Sequence, residues 1–137
     1  MENCLFCRIA SHELKANFIY EDDNVMAILD IHPSATGHTM VIPKVHAKNM
    51  LEIEDSAIPE LFATVKKVLH LLKDSLSPNG FTIGINHGKI SGQEIDHLHI
   101  HLIPRYEGDR GNSVQSVVNF SAEDRLSGLK KLILKNN

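Results

Sequence analysis

A chain of 137 residues with 42% apolar and 23% charged residues has the size and composition of one folded domain, which excludes a disordered polymer, a fibrous repeat or a multidomain machine. Its 14 Lys and Arg against 17 Asp and Glu leave a net charge of −3, so no global basic field directs it to nucleic acid or to an anionic membrane. No basic start followed by an apolar run opens the sequence and no stretch is long enough to cross a bilayer, so a cytoplasmic setting is expected.

Asn17 to Glu21 (NFIYE) and Val25 to Asp30 (VMAILD) read as two short strands joined by the polar turn Asp22-Asp23-Asn24. After a break from Pro33 to His38, hinged at Gly37, Thr39 to Pro43 forms a third strand that its proline should end. Ile58, Leu61, Phe62, Val65, Val68, Leu69, Leu72 and Leu76 then form the 3.6-residue stripe of a long amphipathic helix, with Asp55 or Ser56 as its cap. Leu71 lies off that stripe and points to a wider apolar arc, such as a subunit interface. Ser77-Pro78-Asn79-Gly80 ends the helix, and Phe81, Ile83 and Ile85 alternate with Thr82, Gly84 and Asn86 as a fourth strand. The fifth strand is expected from His97 to Ile103, halted at Pro104. A C-terminal helix should start at Ser121-Ala122-Glu123-Asp124, with Lys130, Lys131 and Lys135 suiting its negative dipole end.

The chemistry gathers on the fifth strand. In HLHIHLI the period of two puts His97, His99 and His101 on one face, neighbours about 6.6–6.8 Å apart, and turns Leu98, Ile100 and Leu102 to the core. Three imidazoles on an exposed strand face have no stabilising reason to be there. They could ligate one metal together, or divide the work between a nucleophile and its helpers. The preceding loop, Asn86 to Glu94, holds two glycines and several donors, as an anion nest would, and points to a phosphate ester or anhydride. Cys4 and Cys7 form a CxxC knuckle that could share Zn²⁺ with two imidazoles such as His46 and His97, act as a redox pair, or hold no metal. Of the other histidines, His12, His70 and His87 read as solvent-facing or loop residues, His32 lies near the end of the second strand, and His38 could hold its loop by hydrogen bonding.

The segments SGQEIDHLHIHLIPRY and NFIYEDDNVMAILDIHPSATGHTMVIPKVH, with CLFC near the start, together resemble the histidine triad (HIT) family of nucleotide-binding hydrolases and transferases. The resemblance runs from Cys4 to about Asp109. It implies an α+β domain with a five-stranded antiparallel sheet, one long helix and a C-terminal helix, paired as a homodimer with a continuous ten-stranded sheet. Residues 1–137 would form a single domain with a core of about 4–109 and an extension over 110–137.

By the same resemblance, His99 attacks the α-phosphorus of a purine nucleotide conjugate and forms a nucleotidyl-histidine, with His101 and the Gly92–Gln93 amides at the phosphate. Cys4, Cys7, His46 and His97 would hold a structural Zn²⁺. Leu5, Phe6 and Ile9 would wall the base, Ile31 its other side, Asp30 the ribose hydroxyls, and Asn86, Gly92 and Gln93 the phosphate or leaving group. His97, His99, His101 and Gln93 are thus the catalytic candidates. A low-turnover nucleotide-binding module is the alternative function. The chain departs from many members at Glu94, where a small hydroxyl residue is frequent and a carboxylate would repel substrate if it pointed inward, and in its longer tail after Arg105. Asp96 is expected on the surface, away from the histidines.

Overall fold

The computed structural model describes residues 3–122 and 125–135. Two central strands set the architecture. All of β2 (Val25–Leu29) except Leu29, and all of β3 (Thr39–Pro43), are buried, so both faces of the sheet are covered. Alternate residues divide between the two sides. Val25, Ala27, Val41, Ile100 and Leu102 pack with Leu61, Val65, Val68 and Leu72 of the long helix α2 (Ile58–Leu76). Met26, Ile28, Met40 and Ile42 meet Phe6 and Ile9 of a short N-terminal helix α1 (Leu5–Ala10), which the sequence reading did not anticipate. Burial of each such side chain contributes about 1.5–3 kcal/mol.

β1 (Phe18–Glu21), β4 (Gly80–Gly84) and β5 (Ile100–Arg105) complete an antiparallel sheet in the order β1-β2-β3-β5-β4, as expected for this α+β class. β5 differs from its expected span: it starts at Ile100, not His97, and runs through Pro104, which pairs with Phe81. β3 ceases to pair with β5 at Leu102, so the missing proline N–H interrupts nothing in that ladder.

Around α2, Phe62, Leu71 and Leu76 stay substantially exposed, and buried Thr64 takes a place on the inner face instead. Asp55 and Ser56 do not cap the helix; they form a 3-10 turn leading into it, and Pro59 needs no donor in the first turn. The left-handed residue that ends α2 is Ser77 (φ 48°), whose N–H bonds to the Lys73 carbonyl. Gly37 (φ 87°) is under a second constraint besides its dihedral, since any side chain there would run into Leu76.

After β5 the chain turns at Asp109, which takes two bonds from Arg105 (2.7 and 3.1 Å), and reaches α3 (Leu126–Lys135). Ser121 and Ala122 are not helical, and Glu123 and Asp124, the rest of the expected helix start, lie outside the described residues. Leu126, Leu132, Ile133 and Leu134 of α3 are exposed. Among the described residues no helix is long and apolar enough to cross a membrane.

Candidate active site and metal centre

Cys4 is the N-cap of α1 and Cys7 lies one turn in, so the helix carries both thiols to the loops around β3 and β5. There they meet His46 and His97. Cys4 Sγ is 3.3 Å from His97 Nδ1, Cys7 Sγ is 3.3 Å from His46 Nδ1 and 3.5 Å from His97 Nδ1, and the two Nδ1 atoms are 3.3 Å apart. A tetrahedron with metal–ligand bonds of 2.0–2.3 Å has edges of about 3.3–3.8 Å; these four separations match it, and all four donors lie within 4.8 Å of one another, so the cluster fits Zn²⁺.

Protonation agrees with that fit. Fully buried His97 donates from Nε2 to the Pro43 carbonyl (2.7 Å), which leaves the Nδ1 lone pair facing the thiols, and burial pushes its imidazole down to about 4. Burial and the adjacent Cys4 raise the Cys7 thiol, so two neighbouring thiolates need a cation between them. Both cysteines are free thiols.

The three histidines of the motif do not converge on one point, and the expected exposed face is covered. His97 and His99 precede β5 in a bent segment and are buried, with Phe6 of α1 edge-on to both rings at 5.8 and 5.2 Å. Leu98, Ile100 and Leu102 do face the α2 core. His97 turns into the cysteine cluster. His99 donates from Nδ1 to the His97 carbonyl (2.7 Å), so its Nε2 carries an unprotonated lone pair.

A second chain of protons fixes His101. The Ser34 N–H donates to His38 Nδ1 (3.0 Å), so neutral His38 keeps its proton on Nε2 and donates it to His101 Nδ1 (2.9 Å). His101 then carries its own proton on Nε2. The same reasoning disqualifies Asp30, His38 and His101 as a metal site, although their atoms cluster, because His38 has no lone pair to offer while its Nδ1 accepts an amide. His38 therefore holds its loop, as expected, and orients His101 as well.

Burial lowers both rings, His101 to about 4, with Asp30 opposing the shift in each. The unfolded chain gains these protons near pH 6.5 and the folded chain does so only near pH 4 for His101. Stability from the neutral ring is therefore complete above pH 6.5 and lost as pH falls towards 4. Calorimetry between pH 7 and 4.5 should show a loss of about 1–2 kcal/mol that His101→Asn removes, after discounting for the partly exposed ring. An unchanged slope in the variant would contradict the assignment.

These rings open on a cleft of about 650 Å³. Its walls include Leu5, Phe6 and Ile9 from α1, Asp30 and Ile31 after β2, and Asn86 and Gly92 beside His99 and His101. One Asp30 oxygen accepts the His32 N–H (2.9 Å), and the other lies 3.6 Å from His38 Nε2. Sequence reasoning missed Leu14, Asn17, Ile28 and Met40 as lining residues. Their strand and turn patterns read as core or surface, and only the docking of α1 makes them a wall.

The expected anion nest is corrected. The N–H groups of Ser91, Gly92 and Gln93 are spent within their own turn, on the carbonyls of Gly88, Lys89 and Gly88 at 3.1, 3.0 and 3.2 Å. Gln93 is buried and does not line the cleft. Its Nε2 donates to the Lys48 and Ile95 carbonyls (2.7 and 3.0 Å) and its Oε1 accepts the Gly88 N–H (2.8 Å). It is a brace for this loop. His12, His70 and His87 are exposed, as expected, while His32 lines the cleft.

Comparison with known proteins agrees with this arrangement. A family model described as the HIT domain matches residues 11–108. An uncharacterized HIT-like protein of Methanocaldococcus jannaschii is 44% identical over 106 residues, covering 77% of this chain and 81% of its own. The crystal structure of a HIT family member from Bacillus subtilis superposes with a TM-score of 0.87 at 33% identity, covering 98% of this chain and 97% of the other. A Zn-bound histidine triad family protein from Mycobacterium smegmatis superposes with a TM-score of 0.75 at 31% identity, with 98% of each chain covered.

Proposed function

Given that this chain belongs to the histidine triad (HIT) family and carries the histidine cluster of a hydrolase, we propose that it cleaves a purine nucleotide conjugate at the α-phosphorus through a covalent nucleotidyl-histidine on His99. One observation carries the reading: the His97 carbonyl claims the Nδ1 proton of His99, so the nucleophilic lone pair on Nε2 belongs to the cleft. In the first step Nε2 forms a bond to phosphorus, and the leaving group departs with the bonding pair and a proton from water. The resulting imidazolium keeps its Nδ1–H on the His97 carbonyl. In the second step water attacks phosphorus, the P–N bond breaks, a proton returns to solvent and neutral His99 is restored. The net change is hydrolysis.

His101 serves by donation, its Nε2–H offered to a non-bridging oxygen while His38 keeps the ring in that tautomer. Asn86 and Gly92 flank the same phosphate. The base lies between Leu5, Phe6 and Ile9 on one side and Ile31 on the other, and Asp30 has one oxygen left for a ribose hydroxyl. Apolar walls bind a flat base without distinguishing adenine from guanine. Cys4, Cys7, His46 and His97 would hold Zn²⁺, as the M. smegmatis relative's Zn-bound state supports, and with four protein ligands its contribution is structural.

We further propose that residues 1–137 act as one domain, with a core over about 4–109, in a homodimer. β4 is an open sheet edge with Ile83 exposed, and Phe62 and Leu71 of α2 lie uncovered, which suits a sheet continued across two copies. Reduced thiols at the metal centre suit a cytoplasmic setting.

The test is to incubate the protein with an adenosine phosphoramidate, quench in the millisecond range and measure intact mass. An adduct of one nucleoside monophosphate mapping to His99 is expected. Turnover without an adduct, or an adduct elsewhere, refutes the mechanism, and tight binding without turnover supports the binding-module alternative.

A further inference from the structure

Charge is distributed unevenly along the cleft. Apart from histidines, its charged lining residues among those described are Lys15, Asp30 and Glu94. Lys15 stands at the base end, next to the segment where the Leu29 N–H bonds to the Asn17 carbonyl (3.0 Å). Glu94 lines the same cleft as Asn86, Gly92, His99 and His101, and it comes two positions after Gly92, which lies against the Asn86 side chain. Among the described residues Lys15 is the one Lys or Arg that lines the cleft, although a site built for a polyphosphate tail places several such cations along it.

Glu94 also forms part of the ridge between the cleft and a second hollow of about 580 Å³, which shares Leu5, Glu94 and Ile95 with it. That hollow adds Lys48 and Asp96, so among the described residues two carboxylates stand there against one ammonium. The ridge is fixed in position. Buried Gln93 ties the residues on both sides of Glu94 to Lys48 and Gly88, while the Glu94 carboxylate is exposed and takes part in no hydrogen bond or ion pair with the described residues. An unpaired carboxylate on a braced loop that lines the same cleft as His99 and His101 acts on the charge of a group leaving that cleft.

We propose that Glu94 is a specificity determinant for the leaving group, disfavouring polyphosphate tails and favouring amines that carry a further ammonium. The inference rests on the hydrolase reading above and adds the residue that sorts its substrates. The experiment compares kcat/KM for three adenosine 5′-monophosphate conjugates: a phosphoramidate of a neutral arylethylamine, a phosphoramidate of a diamine with a free ammonium, and diadenosine tetraphosphate.

The wild-type protein is expected to prefer the cationic conjugate to the anionic one. Glu94→Gln should reduce the cation-to-anion ratio by about tenfold, the scale of one unit charge acting across several ångströms of partly aqueous space. Raising the salt to about 0.5 M should compress the wild-type ratio and leave that of the variant nearly flat, a response that a packing role would not produce. A ratio that Glu94→Gln or salt leaves unchanged overturns the proposal. Cleavage of the neutral conjugate through a His99 adduct shows in that case that the hydrolase reading itself survives. Failure to cleave any of the three removes both.

Discussion

His99→Ala is expected to lower kcat on a nucleoside phosphoramidate by at least about 10³-fold while leaving the metal content intact. The size follows from what is lost: the group that splits one displacement at phosphorus into two, which water in the same cleft replaces poorly. The ring is also a packing element, since Phe6 stands edge-on to it at 5.2 Å and His101 lies 4.9 Å away. Its removal should therefore cost stability as well, about 1–3 kcal/mol. Two controls separate these effects. Nucleoside monophosphate affinity should change by less than tenfold, because the base and ribose walls are other residues, and the quenched mass spectrum should show no adduct. His101→Ala is expected to be milder, about 10²-fold in kcat, since it removes a donor and leaves the nucleophile. A His99→Ala protein turning over at the wild-type rate would end the covalent reading.

Much of this site was legible before the fold was known, for a simple physical reason. Period-two alternation needs only local backbone geometry, so HLHIHLI correctly sent Leu98, Ile100 and Leu102 to the α2 core and the histidines to the other side. The strand's start was misplaced because β-bonding depends on a partner. β3 reaches β5 only from Val41 opposite Ile100, and nothing near His97 announces that limit. The proton order of the histidines depended on distant acceptors as well. Pro43, Ser34 and His38 come from other segments, and the His99 ring turns back to the carbonyl of His97 two residues before it. The glycine-rich loop misled for the opposite reason: its composition is that of an anion nest, but the carbonyls of Gly88 and Lys89 take the N–H groups of Ser91, Gly92 and Gln93 around a 3-10 turn. Helix α1 could not be read at all. Six residues have no stable helical preference alone, and α1 owes its place to tertiary anchors.

Those anchors lead to the second large effect. Stripping the metal with a chelator, or Cys7→Ser, is expected to weaken nucleoside monophosphate binding at least tenfold and to lower the unfolding midpoint by about 10 °C. α1 is too short to persist unaided, and Cys4 at its N-cap and Cys7 in its first turn are its links to His46 and His97. The same helix supplies Leu5, Phe6 and Ile9 to the cleft. A freed α1 therefore removes the apolar wall for the base and uncovers His99, whereas the cluster between the sheet and α2 contains no α1 residue and should remain folded. Hydrogen exchange distinguishes this from general unfolding: amides of residues 5–10 should exchange much faster in the stripped protein, and those of β2, β3 and α2 only slightly faster. Calorimetric titration with adenosine monophosphate reads the affinity independently of turnover. Zinc should restore both signals to a stripped wild-type sample, and Cys7→Ser should recover neither fully. Unchanged exchange over residues 5–10 together with unchanged affinity would mean that α1 stands on Phe6 and Ile9 packing alone, and the metal centre would then be mechanically separate from the nucleotide site.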